Sequence, residues 1–222
     1  MHVQPSKETP PQTRGRTLDH AAGVYDFLAP VMTLWQENRY RRLAIRLLTL
    51  RGDEQILDVG CGTGVLTRQL AHVLNAREGA CAVGIDAAPK MITVARRNSS
   101  KTPNVHFDIG IAEALPYADQ RFDCAVSTFF FHHIDAELKR CALAELRRVL
   151  KPGGRLVIVD VDVPYTWFGK LCAWSGYWLF RQQEIRENIR GELRRALTDI
   201  PFQEVKRVAQ YSGYVGVYKV IN

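Results

Sequence analysis

Residues 56–64 read ILDVGCGTG, an apolar run that holds one acid and ends in three glycines. Ile, Leu and Val ahead of Gly60, Gly62 and Gly64 describe a buried strand that turns sharply into a helix, and such a turn looks like the floor of a nucleotide site. Two nucleotide classes fit poorly. The dinucleotide pattern G-x-G-x-x-G requires a third glycine where this chain has Val65. An ATP loop requires a lysine followed by Ser or Thr, and no lysine occurs between Arg51 and Lys90.

The acids give the loop a different meaning. Asp58, just before the glycines, would repel a phosphate but suits an ammonium and a sulfonium. Asp86 ends the next apolar run, twenty-two residues after Gly64, where a carboxylate can accept both hydroxyls of a ribose. Glycine backbone, an acid for a methionine end and an acid for a ribose together describe S-adenosylmethionine.

Working outward, QILDVG, CAVGID, VHFDIG, FDCAVST and RLVIVDVD read as buried strands. Helical patterns lie between them near 63–76, 89–99 and 136–150, the last capped by Asp135 and stopped by KPGG. This alternation predicts a doubly wound α/β fold, a parallel sheet with helices on both faces. A helix near 184–199 precedes EVKRVAQYS and YVGVYKV, which form a hairpin around Gly213. Residues 18–50 suggest two helices capping the first strand, and the polar, proline-containing residues 1–17 suggest a disordered tail.

The chain has 222 residues, 46% of them hydrophobic, which suits one α/β domain over residues 18–222. A charge of +7 raises nucleic acid or an anionic lipid surface as partners, although the cations are spread along the chain. Five cysteines (Cys61, Cys81, Cys124, Cys141 and Cys172) form no CxxC pair and no ligand spacing, so buried reduced thiols of a cytoplasmic protein are expected, and no metal site.

ILDVGCGTG, VGIDAAPKM, AEALPYADQRFDCAVS, FHHI and ELRRVLKPGGRLVIVD, in that order over residues 50–162, resemble the class I S-adenosylmethionine-dependent methyltransferases. AGVYDFLAP and ENRYRRLAI further resemble the N-terminal helices of the ubiquinone, menaquinone and phospholipid methyltransferases. The resemblance implies a Rossmann-like sheet of seven strands with the last antiparallel. It implies cofactor contacts from Tyr25, Asp58, Gly60, Cys61, Gly62, Gly64, Asp86, Ala87, Met91, Ile111, Ala112, Glu113 and Ser127. Two positions depart from the family pattern. Ile111 stands where an Asp often accepts from the adenine amino group, and His132-His133 stand where quinone C-methyltransferases usually carry Arg-Asn.

His132 and His133 follow the fourth strand, where α/β sheets place their chemistry, and are the candidate catalytic bases. YTWFGKLCAWSGYWLFR, residues 165–181, places Trp167, Trp174 and Trp178 at helical spacing. It reads as a helix over an apolar acceptor, within a helical insertion spanning 165–199, in preference to plain core or a membrane-surface anchor. The function expected is methyl transfer to a small apolar acceptor: a quinone precursor, a phenol or a lipid-like molecule. A phospholipid N-methyltransferase, a nucleic-acid methyltransferase and a non-catalytic binding module are the alternatives. Nucleic acid is disfavoured because STFFFHH stands where base modifiers carry an Asn/Asp-Pro-Pro-aromatic stretch.

Overall fold

The computed structural model describes Thr13, Gly15, residues 36–75 and residues 79–222, apart from the side chains of Leu179 and Phe180. Tyr25, the first expected cap helix and the rest of the expected tail lie outside the described residues. Seven strands form one sheet: β1 (Gln55–Val59), β2 (Cys81–Asp86), β3 (Val105–Ile109), β4 (Phe122–Thr128), β5 (Leu150–Val161), β6 (Glu204–Tyr211) and β7 (Val215–Ile221). Their order is β3-β2-β1-β4-β5-β7-β6, with β7 antiparallel to both of its neighbours. The last strand is therefore inserted between β5 and the edge strand β6. Burial accounts for this: β7 is buried over most of its length, whereas β6 carries exposed Glu204, Lys206 and Arg207.

Among the described residues the α-helices are α1 (Glu37–Leu48), α2 (Val65–Ala71), α3 (Pro89–Asn98), α4 (Ala136–Val149), α5 (Trp167–Phe180), α6 (Gln183–Ile189) and α7 (Glu192–Asp199). Strand alternation sorts them to the two faces of the sheet. Ile56, Val126 and Val157 pack with Tyr40, Ala44 and Leu48 of α1 and Leu66 and Leu70 of α2. Leu57, Ala125 and Leu156 pack with Leu138, Ala142 and Leu146 of α4 and Leu193 and Leu197 of α7. Asp135 caps α4 as expected, accepting from the Leu138 N–H at 2.9 Å.

Two boundaries differ from the sequence reading. The helix expected over 184–199 is split by Gly191, whose φ of +89° suits glycine alone and turns the chain between α6 and α7. KPGG, expected only to stop α4, is part of β5, because the C-terminal Asn222 pairs with it: Gly153 N–H donates to Asn222 O and Asn222 N–H to Gly154 O.

Candidate functional site

Strand order reverses between β1 and β4, and a cleft opens beyond the carboxyl ends of the strands at that point. The glycine loop is its floor. Gly60, Gly62 and Gly64 all have positive φ, at +72°, +53° and +74°. The outer two are also held by close neighbours: a Cβ at Gly60 would lie 2.6 Å from Phe130, and one at Gly64 2.5 Å from Phe107. A Cβ at Gly62 would meet nothing within 4 Å, so this glycine leaves room in the cleft itself. The loop is pinned to β2, since Gly60 and Cys61 both donate N–H to Ile85 O. Asp86 ties it further, accepting from Gly62 N–H and Ala88 N–H, each at 2.9 Å, one on each carboxylate oxygen.

The cleft is open to solvent at its mouth. Of the residues expected to bind a cofactor, the structure brings Gly60, Gly62, Asp86, Ala87, Met91, Ile111, Ala112 and Glu113 together as its lining, with His133 beside them. Thr128, Phe129, Phe130 and Ile134 complete that wall. Thr13 and Gly15, from the segment expected to be a disordered tail, lie at the mouth, where Thr13 Oγ1 donates to Glu113 Oε1 at 2.5 Å.

Other expected residues sit behind the lining. Asp58 alternates with Leu57 and Val59, so its carboxylate faces α2, accepts from Thr67 Oγ1 at 2.7 Å and is 2% exposed. Burial pushes its pKa up to about 7, against the Thr67 hydrogen bond, and the nearby Asp86 charge adds to the rise. Cys61 turns its sulfur toward Gly84, where a Cβ would lie 2.9 Å away, and burial raises its thiol well above the ordinary value. Ser127 donates to Val59 O at 2.9 Å, fastening β4 to β1. Trp167 and Trp178 are exposed, and Trp174 packs against Val161, Ile185 and Ile189. None of the three tryptophans lines the cleft.

A family profile described as a methyltransferase domain matches residues 56–154. The demethylmenaquinone methyltransferase of Chlorobaculum parvum is 34% identical over 171 residues, 72% of this chain and 67% of that protein. The chain belongs to the class I S-adenosylmethionine-dependent methyltransferases. The demethylmenaquinone methyltransferase of Tropheryma whipplei (strain Twist) is 33% identical over 67% of this chain. The match spans 59% of that relative, less than two thirds of its length. An S-adenosylmethionine-dependent methyltransferase from Aquifex aeolicus shares the fold, with a TM-score of 0.60, 22% identity and coverage of 82% and 88% of the two chains.

The cofactor of this methyltransferase is S-adenosylmethionine, and the residues present fit it. The space left at Gly62, the Asp86 carboxylate in the cleft lining and the apolar Met91 and Ile111 match a polar ribose and a flat base. The wall that carries Ile111 to Glu113 is held from outside by Arg148. Its guanidinium donates to both oxygens of Glu145 at 2.8 Å, to Leu115 O and Tyr117 O, and to Asp119. AEALPYAD and ELRRVL are thus parts of one clamp, a relation that their separate reading as motifs does not reveal.

The methyltransferase also has a dyad that the sequence reading missed. His132 Nδ1 lies 2.7 Å from Asp160 Oδ1, and the carboxylate also accepts N–H from Phe130, Phe131 and Val161. All four acceptor positions of Asp160 are filled, and its side chain is fully buried. Because the carboxylate accepts, Nδ1 of the neutral ring carries the proton and Nε2 is left basic. The signal was present in RLVIVDVD, where Asp160 interrupts an apolar strand. The His132 and His133 rings touch with centroids 4.0 Å apart and planes tilted by 44°, and His133 reaches Gln182 at 3.4 Å.

Proposed function

We propose that this protein methylates a hydroxyl-bearing apolar aromatic acceptor of the quinone-precursor class, with His132 as the general base. The observation that carries the proposal is the His132–Asp160 pair at 2.7 Å. His132 does not itself line the cleft but adjoins His133, which does, and a dyad that fixes one tautomer there suits removal of a proton, whereas an amine acceptor would need little beyond alignment. The names of relatives support the acceptor class, since several are demethylmenaquinone methyltransferases.

When bound, S-adenosylmethionine supplies an activated methyl group. The chain does the rest. Asp86 and the loop at Gly62 hold the ribose side, Met91 and Ile111 pack the base, and Phe130 closes one wall against water. His132 Nε2 takes the hydroxyl proton of the acceptor, which makes its oxygen or the adjacent ring carbon nucleophilic. Asp160 keeps the ring oriented and stabilises the imidazolium. A quinone carries such a hydroxyl only in its reduced form, so the reduced acceptor is the substrate expected.

The test incubates the protein and S-adenosylmethionine separately with reduced demethylmenaquinone, a simple catechol and phosphatidylethanolamine. Methylation of the reduced quinone or the catechol, lost in His132→Gln, is the expected result. Methylation of phosphatidylethanolamine alone, at a rate that His132→Gln does not change, would replace this reading with amine transfer.

A further inference from the structure

We infer that the outer face of α5 is a docking surface for an anionic phospholipid bilayer. Trp167, Leu171 and Trp178 are 78%, 61% and 69% exposed, and on a helix they fall within about 40° of one another. Phe168 and Tyr165, each 46% exposed, extend the patch toward the amino end. Large apolar side chains gathered on one exposed helix face mark a surface that meets something other than water.

The helix is fixed in this orientation. Its inner face carries Gly169 and Ala173, and a Cβ at Gly169 would lie 2.0 Å from Gly213 O of the β6–β7 turn. Tyr165 N–H donates to Gly213 O at 2.9 Å, and Thr166 Oγ1 accepts from Gly169 N–H at 2.9 Å. Rolling α5 to bury Trp167 or Trp178 would drive a ring into the turn that only glycine approaches. Gly169 and Ala173 lie inside while Trp167 and Trp178 lie outside, and only Trp174 of the helix's tryptophans is partly buried.

Charge selects the occupant. No Asp or Glu occurs from Val163 to Gln183, and the patch is flanked by Lys170 and Arg181. Arg39 stacks on Tyr211 at 4.7 Å, at the foot of the same turn, and begins an exposed row on α1 with Arg42 and Arg46. Tryptophan with Lys and Arg around it is the composition that settles at the boundary between acyl chains and anionic headgroups. Among the described residues no helix is long and apolar enough to cross a membrane, so α5 would lie in the plane of the surface. The surface sits at the cleft's end of the sheet, since α5 follows β5 and α6 packs on His132 and His133. The inference does not depend on the acceptor, because an acceptor taken from water would leave this face unchanged.

Co-sedimentation with phosphatidylglycerol-containing vesicles and with pure phosphatidylcholine vesicles tests it, together with tryptophan emission. The expected result is binding to the anionic vesicles with a blue shift. Partitioning should fall at least tenfold in Trp167→Ser/Trp178→Ser, severalfold in Lys170→Glu/Arg181→Glu, and with added salt. Melting temperature and cofactor affinity should stay near the parent's, which separates lost docking from lost folding. Failure of the parent to bind, or equal binding by the tryptophan variant, would overturn the inference. So would a dimer in sedimentation equilibrium that the same substitutions disperse without any vesicle binding, since the face would then join two copies.

Discussion

Arg148 grips Glu145 through two hydrogen bonds of 2.8 Å, and with its other three N–H groups holds Leu115 O, Tyr117 O and Asp119. All five guanidinium donors are used, and Glu145 in turn accepts from Leu115 N–H at 2.7 Å. The cofactor wall at 111–113 therefore depends on a helix on the far side of it. Lysine offers three donors from one point and cannot reproduce the fork. Arg148→Lys should lower stability by about 1–3 kcal/mol and weaken S-adenosylmethionine about tenfold. Thermal melts and calorimetric titration read the two effects, and unchanged affinity in a destabilised protein would show that the clamp serves the fold alone.

The glycines of the loop should separate in the same two assays. Gly64→Ala adds a methyl 2.5 Å from Phe107 at a positive φ, and should cost roughly 2–4 kcal/mol of stability. Gly62→Ala meets no neighbour, so its cost to folding should stay near 1 kcal/mol, the conformational penalty. Its methyl stands in the cleft, however, and should weaken the cofactor tenfold or more. Equal affinity losses for the two variants would contradict this division.

Asp58 sets a pH dependence whose sign follows from its burial. Its pKa is about 7 folded against 3.8 ordinarily, so between those values the folded state holds a proton that the unfolded chain has lost. Stability contributed by that proton is full below about pH 4 and is lost as pH rises to about 7. Asp58→Asn, which keeps an acceptor for Thr67, should match the parent at pH 4 and melt several degrees higher at pH 8, at about 2–4 °C per kcal/mol. Melting curves of the cofactor-free protein across that range decide it. A variant that melts lower at pH 8 would mean that the carboxylate is favourable where it lies.

Asp160→Asn should leave S-adenosylmethionine affinity within a few-fold of the parent while lowering methyl transfer about a hundredfold, the scale of general base catalysis. An amide presents one oxygen to four N–H groups, so His132 loses the partner that fixes its tautomer. Single-turnover rates against pH separate positioning from folding. The loss should shrink in Asp160→Glu if that side chain can still reach Nδ1. A uniform fall in affinity and rate at every pH would reduce Asp160 to a structural acceptor.

The β/α alternation and the Asp135 cap were legible because each depends on neighbours within one element. The glycine loop and Asp86 were legible because loop and acid are fixed by chain geometry at the strand ends. Asp58, Cys61 and Ser127 were not. They occupy motif positions beside the cleft, but strand and loop direction turn their side chains into the protein, which a one-dimensional spacing does not reveal.

Order along the chain determined by itself the doubly wound α/β fold and its glycine loop, since strand period and turn glycines are local properties, and the resemblance of its motifs implied a methyltransferase. Contacts between residues distant in sequence decided the rest. Asp160 reached His132 across twenty-eight residues, and Arg148 closed on a loop some thirty residues earlier. Trp167 and Trp178 of α5, at helical spacing that suited a lid, face outward because Gly169 fits against Gly213, forty-four residues on. Periodicity says which residues share a face of a helix, and only the packing of its neighbours says where that face points.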